Sequence, residues 1–221
     1  MATRVLLFDV DGVLFRNKHA LKLIEERSTD FTRKFIPSFQ PSPQLNYLKY
    51  GHTVQMINKI THTIGRVSTT TLEEYNEYVF NDSTLNQVAR LVNDDDVTRG
   101  EMWKHVIVRS GQTPHIFSNA PDVWVQGVLS WASLENSFAD SVIITPKSLY
   151  SLKPNPQSYE IMVDELQDDV SCVKDILFVD DSRANVNGAL RAGIPAVQYT
   201  DEVDELLVGN YFYYYLNKLE T

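Results

Sequence analysis

The apolar and polar positions of the chain fall into two regimes. Val5 to Phe8 is an unbroken apolar run that ends in Asp9, and a second aspartate, Asp11, follows after one residue. A short run with no polar alternation predicts a strand buried on both faces, as in a parallel sheet. From about residue 16 to 97 the pattern is helical throughout. His19 to Arg27 carries Ala20, Leu21, Leu23 and Ile24, with Ser28-Thr-Asp30 reading as a break. Pro37, Pro41 and Pro43 then allow only short helical pieces. Val54, Ile57 and Ile60 line one face of a helix over Thr53 to His62. Ser68-Thr-Thr-Thr71 ahead of Leu72-Glu-Glu predicts a helix start. Another helix is expected from Ser83 to Val92, closed by Asn93-Asp-Asp-Asp96.

Beyond residue 97 strand and helix alternate. Helices are predicted over Thr98–Arg109, Asp122–Trp131, Pro156–Leu166 and Ala184–Ala192. Strands are predicted over His115–Phe117, Ser141–Thr145, Asp175–Val179 and Ala196–Tyr199. This βαβ rhythm predicts a parallel, Rossmann-like α/β sheet with helices on both faces. An all-helical segment is inserted after the first strand. The expected division is a core of residues 1–15 and 98–221 and an insert of residues 16–97.

Composition narrows the classes of function. The chain has 221 residues, 43% of them hydrophobic and 22% charged, which suits a soluble globular protein. A net charge of -9 argues against a general nucleic-acid or anionic-membrane surface, though it leaves room for a local basic pocket. Cys172 is the only cysteine, so an intrachain disulfide and a Cys-rich zinc site are excluded; it is expected to be a small buried hydrophobe. No apolar run has the length of a membrane span, and a reducing, cytoplasmic setting is the expected home.

Candidate chemistry gathers where predicted strands end, the place where open α/β sheets bind ligands. Asp9 and Asp11 end the first strand, and Gly12 turns the chain away. Two carboxylates there are costly unless something pairs with them, which suggests a divalent metal, a nucleophile, or both. Ser118-Asn119 follows the strand ending in Phe117, where a hydroxyl and backbone N–H groups suit an anionic oxygen. Lys153-Pro154 precedes a helix, and Asp180-Asp181 ends the strand Ile-Leu-Phe-Val. Each alone admits a bland reading as solvated turn or surface residues. Four together at successive strand ends point to one site.

In these four segments the chain resembles the haloacid dehalogenase (HAD) superfamily. Asp9-Val-Asp11-Gly12-Val-Leu resembles its DxD first motif; Ser118-Asn119-Ala, Lys153-Pro-Asn-Pro and Phe178-Val-Asp-Asp-Ser-Arg-Ala-Asn resemble the second, third and fourth. The helical insert stands where the superfamily places its C1 cap. The subgroup most resembled includes sugar-phosphate phosphatases, pyrimidine 5′-nucleotidases and epoxide-hydrolase N-terminal phosphatases.

The resemblance implies a Mg²⁺-dependent phosphatase acting on a small soluble phosphomonoester, a sugar phosphate or nucleotide. It makes Asp9 the nucleophile and Asp11 the general acid and base. It gives phosphate binding to Ser118, Asn119 and Lys153, and metal binding to Asp9, Asp11 (through its backbone carbonyl), Asp180 and Asp181. Dehalogenases of the superfamily lack an acid at the position of Asp11, because displacing halide needs no proton donor. The cap lysine of phosphonatases is not identifiable among Lys18, Lys22, Lys34, Lys49 and Lys59. A phosphotransferase or mutase, and a silent HAD-fold binding protein, are the alternatives. The expected partner is a small phosphoester, with no nucleic-acid polymer and no membrane. Arg16, His19, Tyr47, His52, His62 and Arg66 are candidates for setting specificity. The aromatic run Tyr211-Phe-Tyr-Tyr-Tyr215 reads as part of a C-terminal helix on the core, or as a partner surface.

Overall fold

The computed structural model describes residues 5–39, 52–65 and 70–200. In chain order its elements are β1 (Val5–Phe8), α1 (Lys18–Phe35), α2 (Thr53–Thr63), α3 (Leu72–Val79), α4 (Asp82–Ala89), α5 (Asp94–Ser110) and β2 (Thr113–Phe117). There follow α6 (Asp122–Trp131), β3 (Ile143–Ile144), α7 (Pro156–Glu165), β4 (Ile176–Asp180), α8 (Arg183–Arg191) and β5 (Ala196–Gln198). Two compact units are present. Among the described residues, one holds residues 5–16, 93–145 and 153–200, and the other holds 17–92 and 146–152.

The first unit is the Rossmann-like α/β core, built on one five-stranded sheet in the order β3-β2-β1-β4-β5. All of its strand pairs are parallel. Strand β1 lies at the centre and is buried along its whole length, which is why its residues need no polar alternation. Val5 and Leu7 face a core shared with Phe117, Tyr159, Met162, Phe178 and Ala189. Phe8, on the opposite face, meets Trp103 edge-on at 5.2 Å and Phe138 at 6.0 Å. Each such fully buried large side chain stabilises the fold by about 1.5–3 kcal/mol relative to its exposed state.

The register of these strands places the chemistry. Phe8 pairs with Ile116 on one side and Val179 on the other. One step further along, Asp9 therefore stands beside Asp180, and Asp9 N–H donates to the Val179 carbonyl at 2.8 Å. Ser118 leaves β2 at the same edge, its N–H donating to the Ile144 carbonyl at 3.0 Å.

Helix α5 departs from the sequence expectation. The acidic run Asp94–Asp96 opens it instead of closing the helix before it. Asn93 caps the new helix, its side chain accepting from the N–H groups of Asp95 and Asp96, and the Asp96 carboxylate accepts from Asn93 N–H. Three acids in a first turn also lie at the positive end of the helix dipole, so they belong at a helix start. Cys172 is exposed, not buried, because it precedes a short surface turn at Val173–Asp175.

The second unit is helical. Helix α1 runs unbroken through Ser28-Thr-Asp30, contrary to the break read from those polar residues. Ser28 is drawn into packing by Thr53 Oγ1 at 3.1 Å and by the Tyr75 hydroxyl, also at 3.1 Å. Thr32 folds its hydroxyl back onto the Ser28 carbonyl. Phe31 meets Tyr75 and Tyr78 at 5.5 and 5.4 Å. Asn17 caps α1 and donates from Nδ2 to the Leu91 carbonyl at 2.8 Å, tying together the two ends of this unit. As expected, Thr71 caps α3 in a reciprocal box with Glu74. Helix α4 begins at Asp82, one residue ahead of Ser83, with Asn81 as its cap. Among the described residues no helix is long and apolar enough to cross a membrane. Pro41, Pro43, Tyr47, Lys49, Arg66 and the aromatic run at 211–215 lie outside the described residues.

Candidate active site

At the end of β1 the backbone ladder gives way to a tight loop. Val13 N–H and Phe15 N–H both donate to the Val10 carbonyl, and Gly12 N–H donates to the Phe15 carbonyl at 2.8 Å. Gly12 has φ +80°, in the left-handed region where a side chain is strained. A Cβ built there would also overlap the Asp181 carboxylate. Gly12 thus lets the loop pass directly against the fourth acidic residue of the site. The Trp103 indole fastens the loop from α5 by donating to the Val13 carbonyl at 3.1 Å.

Lys153 is the hub. Its side chain is fully buried, with Nζ 2.6 Å from the Phe117 carbonyl, 2.8 Å from Asp180 Oδ2 and 3.0 Å from Asp9 Oδ1. The ammonium also lies 5.0 Å from the centres of the Phe117 and Phe178 rings. Burial by itself pulls the lysine toward its neutral form, but the carboxylates of Asp180 and Asp9 more than offset it and hold the charge firmly in place. The residue sits ahead of a cis peptide bond to Pro154. Its backbone is braced by Asn119, which accepts from Lys153 N–H at 2.8 Å and donates to the Lys153 carbonyl at 2.9 Å. Asn119 therefore holds the lysine's backbone in place through one N–H and its side-chain carbonyl.

Asp180, also fully buried, is held on every side. Besides Lys153 it accepts from Ser182 N–H at 2.8 Å and from Asn185 Nδ2 at 3.1 and 3.0 Å. Asn185 is set in turn by Tyr159, whose hydroxyl donates to the Asn185 carbonyl at 2.7 Å. Tyr159 packs so closely on α8 that only a glycine fits at position 188. Asp9 is buried, and its Oδ1 also accepts from Val10 N–H at 2.8 Å. Burial, with Asp180 nearby, pushes its carboxyl well above the usual range, while Lys153 opposes this.

Asp11 and Asp181 complete the acidic set. Asp11 is half-buried, and its Oδ1 accepts from the Trp124 indole at 2.9 Å. Burial raises its carboxyl to about 6, against the lowering effect of that hydrogen bond. Asp181 is exposed as a residue, but its carboxylate lies against Gly12, and desolvation there, followed by the charge of Asp180, raises it to about 6 as well. Ser118 is buried and its hydroxyl oxygen accepts from Ala120 N–H at 3.1 Å, which leaves its proton for an acceptor.

The structure thus brings all seven expected residues to one edge of the sheet. Asp9, Asp180 and Asp181 offer carboxylate oxygens that all lie within 4.8 Å of one another. With Lys153 counted against these three carboxylates, the cluster carries two uncompensated negative charges when all are ionised, and its donors are all oxygen. That set fits a hard divalent cation such as Mg²⁺. The Asp11 side chain stands outside this triad; the metal contact that the resemblance implies for this residue is through its backbone carbonyl. Trp124 and Asn185 had no assigned role in the sequence; Asn185 closes the fourth motif five residues after Asp180, but Trp124 left no signal.

Residues 3–193 match the model of the haloacid dehalogenase-like hydrolase family. A search of curated protein sequences found no match. Among solved structures the fold is similar to a HAD hydrolase of family IA, variant 3, from Entamoeba histolytica (TM-score 0.58, 18% identity, covering 93% of this chain and 89% of that one). It is also similar to a predicted phosphoglycolate phosphatase from Haemophilus somnus (TM-score 0.51, 19% identity, 89% and 84%). A third likeness is to the L-2-haloacid dehalogenase of Xanthobacter autotrophicus (TM-score 0.51, 18% identity, 90% and 80%). At these identities the likenesses establish the fold. With the family match over most of its length, the chain belongs to the haloacid dehalogenase-like hydrolases and is an enzyme of that family.

Proposed function

We propose that this hydrolase is a Mg²⁺-dependent phosphomonoesterase that works through an aspartyl phosphate on Asp9. The observation that carries the reading is the pairing of two differently held carboxylates at one strand end. Asp9 is fixed through Oδ1 by Lys153 and Val10 N–H, which leaves Oδ2 to meet phosphorus. Asp11 is held separately by Trp124, and a carboxyl raised to about 6 can carry a proton near neutral pH.

In the first step Asp9 Oδ2 forms a bond to phosphorus while the bond from phosphorus to the leaving oxygen breaks, and Asp11 gives that oxygen its proton. In the second, water attacks the same phosphorus, Asp11 takes the proton, and the bond to Asp9 breaks to release phosphate. Lys153 and the Ser118 hydroxyl stabilise the charge on the transferring phosphoryl oxygens. Mg²⁺, when bound by Asp9, Asp180, Asp181 and the Asp11 carbonyl, supplies further positive charge at the phosphoryl group. Displacing a halide needs no proton donor, so a carboxyl with its own hydrogen-bond partner favours a phosphoester over a haloacid.

The helical unit, which follows the first motif directly in sequence, is proposed as the cap that selects the leaving group. The acidic chain suits a small soluble phosphoester as partner and not a nucleic-acid polymer or a membrane. The test is phosphate release from a panel of sugar phosphates, nucleoside monophosphates and aryl phosphates, with Mg²⁺ and with EDTA. Metal-dependent release from at least one ester is expected. No release from any would sink the reading, and release only when an acceptor is added would make the enzyme a phosphotransferase.

A further inference from the structure

Trp124 lies on the third residue of α6, completely buried, yet its indole reaches Asp11 across 113 positions of sequence. The ring is locked edge-on between two aromatic neighbours, Phe15 at 5.8 Å and Trp131 at 5.6 Å. Phe15 is itself bridged to Asp11 through the backbone. An indole N–H donates and cannot accept. A group that only donates, held rigidly 2.9 Å from Asp11 Oδ1, therefore requires that oxygen to be the acceptor.

We propose that Trp124 is a positioning residue for the acid–base carboxylate: by occupying Oδ1 it assigns the transferable proton to Oδ2 and fixes the direction in which Oδ2 points. The proposal rests on the phosphatase reading above and adds the device that makes Asp11 directional. A carboxyl free to rotate about its Cβ–Cγ bond would offer the proton from either oxygen and in several directions. Without the indole, fewer encounters place that proton on the leaving oxygen.

The consequence depends on the leaving group. An ester with a basic leaving oxygen needs the proton in the transition state, whereas 2,4-dinitrophenolate leaves without one. We therefore compare kcat and KM of the full chain for phenyl phosphate and 2,4-dinitrophenyl phosphate in wild type, Asp11→Asn and Trp124→Phe. Phenylalanine keeps an aromatic ring between Phe15 and Trp131 and removes the donor together with part of the ring volume, so the selectivity between esters, and not the size of the loss, is the readout. Asp11→Asn is expected to lose kcat/KM for phenyl phosphate severely and kcat/KM for dinitrophenyl phosphate far less, while kcat falls for both because Asp11 also takes the proton of water in the shared second step. Trp124→Phe should show the same selectivity in weaker form, about ten- to a hundredfold in kcat/KM for phenyl phosphate, the scale of a hydrogen bond to a charged group.

A second measurement is independent of turnover and of that variant's folding. In ¹⁵N-tryptophan-labelled wild type, three indole signals are expected, and that of Trp124 should exchange slowly with solvent. Asp11→Ala should accelerate that exchange at least tenfold while leaving the Trp103 signal unchanged. Equal losses of kcat/KM on both esters in Trp124→Phe, or an exchange rate indifferent to Asp11→Ala, would overturn the positioning role while leaving the phosphatase reading intact. Absence of turnover of both esters in the wild type would instead strike the phosphatase reading itself, and the positioning role with it.

Discussion

Replacing Lys153 by methionine isolates the charge on which the site is built. Methionine keeps an unbranched stem between the Phe117 and Phe178 rings but removes the ammonium and its three contacts, at 2.6, 2.8 and 3.0 Å. Two buried carboxylates are then left facing one another without a cation. Breaking a buried pair by removing one partner costs about 3–5 kcal/mol, and the Lys153→Met protein should lose that much unfolding free energy at pH 7.5. The loss should also depend on pH. Without the lysine Asp9, whose carboxyl already stands well above the usual range, must retain its proton in the folded state, so its folded affinity for protons exceeds that of the unfolded chain. Such a group favours folding at low pH and loses that contribution as pH rises, so the deficit should shrink toward pH 5.5. Urea unfolding followed by tryptophan fluorescence is the suitable assay, because Trp103, Trp124 and Trp131 all lie in the α/β unit. A variant as stable as wild type at pH 7.5, or a deficit that does not change with pH, would refute the reasoning.

Two further predictions follow from the same logic. Gly12→Ala should cost about 1–2 kcal/mol for the left-handed backbone alone. The new methyl must also displace the Asp181 carboxylate, so Mg²⁺ affinity measured by calorimetry should fall at least tenfold, the equivalent of about 1.4 kcal/mol; an unchanged affinity would separate Asp181 from the metal. In the helical unit, His52 caps α2 by accepting from Val54 N–H through Nδ1, and desolvation lowers its pKa from 6.5 to about 4. Its unfolded form binds the proton more tightly, so stability is lost as pH falls from 6.5 toward 4, by about 2 kcal/mol at pH 5. His52→Asn retains a good cap without the titration. Between pH 7.5 and pH 5 its stability by far-UV circular dichroism should improve relative to wild type by that amount, and parallel pH curves would rule the mechanism out.

What the sequence reveals about this site follows from which parts of it are local. The strand-end motifs are contiguous, and a parallel sheet with β1 at its centre brings the ends of β1, β2 and β4 to one edge, so Asp9, Ser118 and Asp180 were legible as a group. Lys153 does not end a strand, since β3 stops at Ile144, and it reaches that edge with its long side chain. The partners that hold them are not contiguous. Trp124 meets Asp11 only because α6 follows the second motif and turns its third residue inward. The bracing of Lys153 by Asn119 depends on a loop geometry that periodicity does not carry. Polar runs misled in both directions. Ser28-Thr-Asp30 looked like a break, but Ser28 finds partners from Thr53 and Tyr75 inside a continuous helix. Asp94–Asp96 looked like a stop, yet with Asn93 before it the run supplies what a helix start requires. Cys172 follows the average tendency of its residue type only when its element is interior, and here it precedes a surface turn.

The most direct test of the central claim is to trap the covalent intermediate. The enzyme is mixed with a turned-over phosphoester and Mg²⁺, quenched during turnover and reduced with borohydride, which converts an aspartyl phosphate to homoserine. Peptide mass spectrometry should then find the conversion at Asp9, absent from samples without substrate and from Asp9→Asn protein, which should itself be folded and inactive. Turnover with no modification at Asp9, or modification at another carboxylate, would contradict the account.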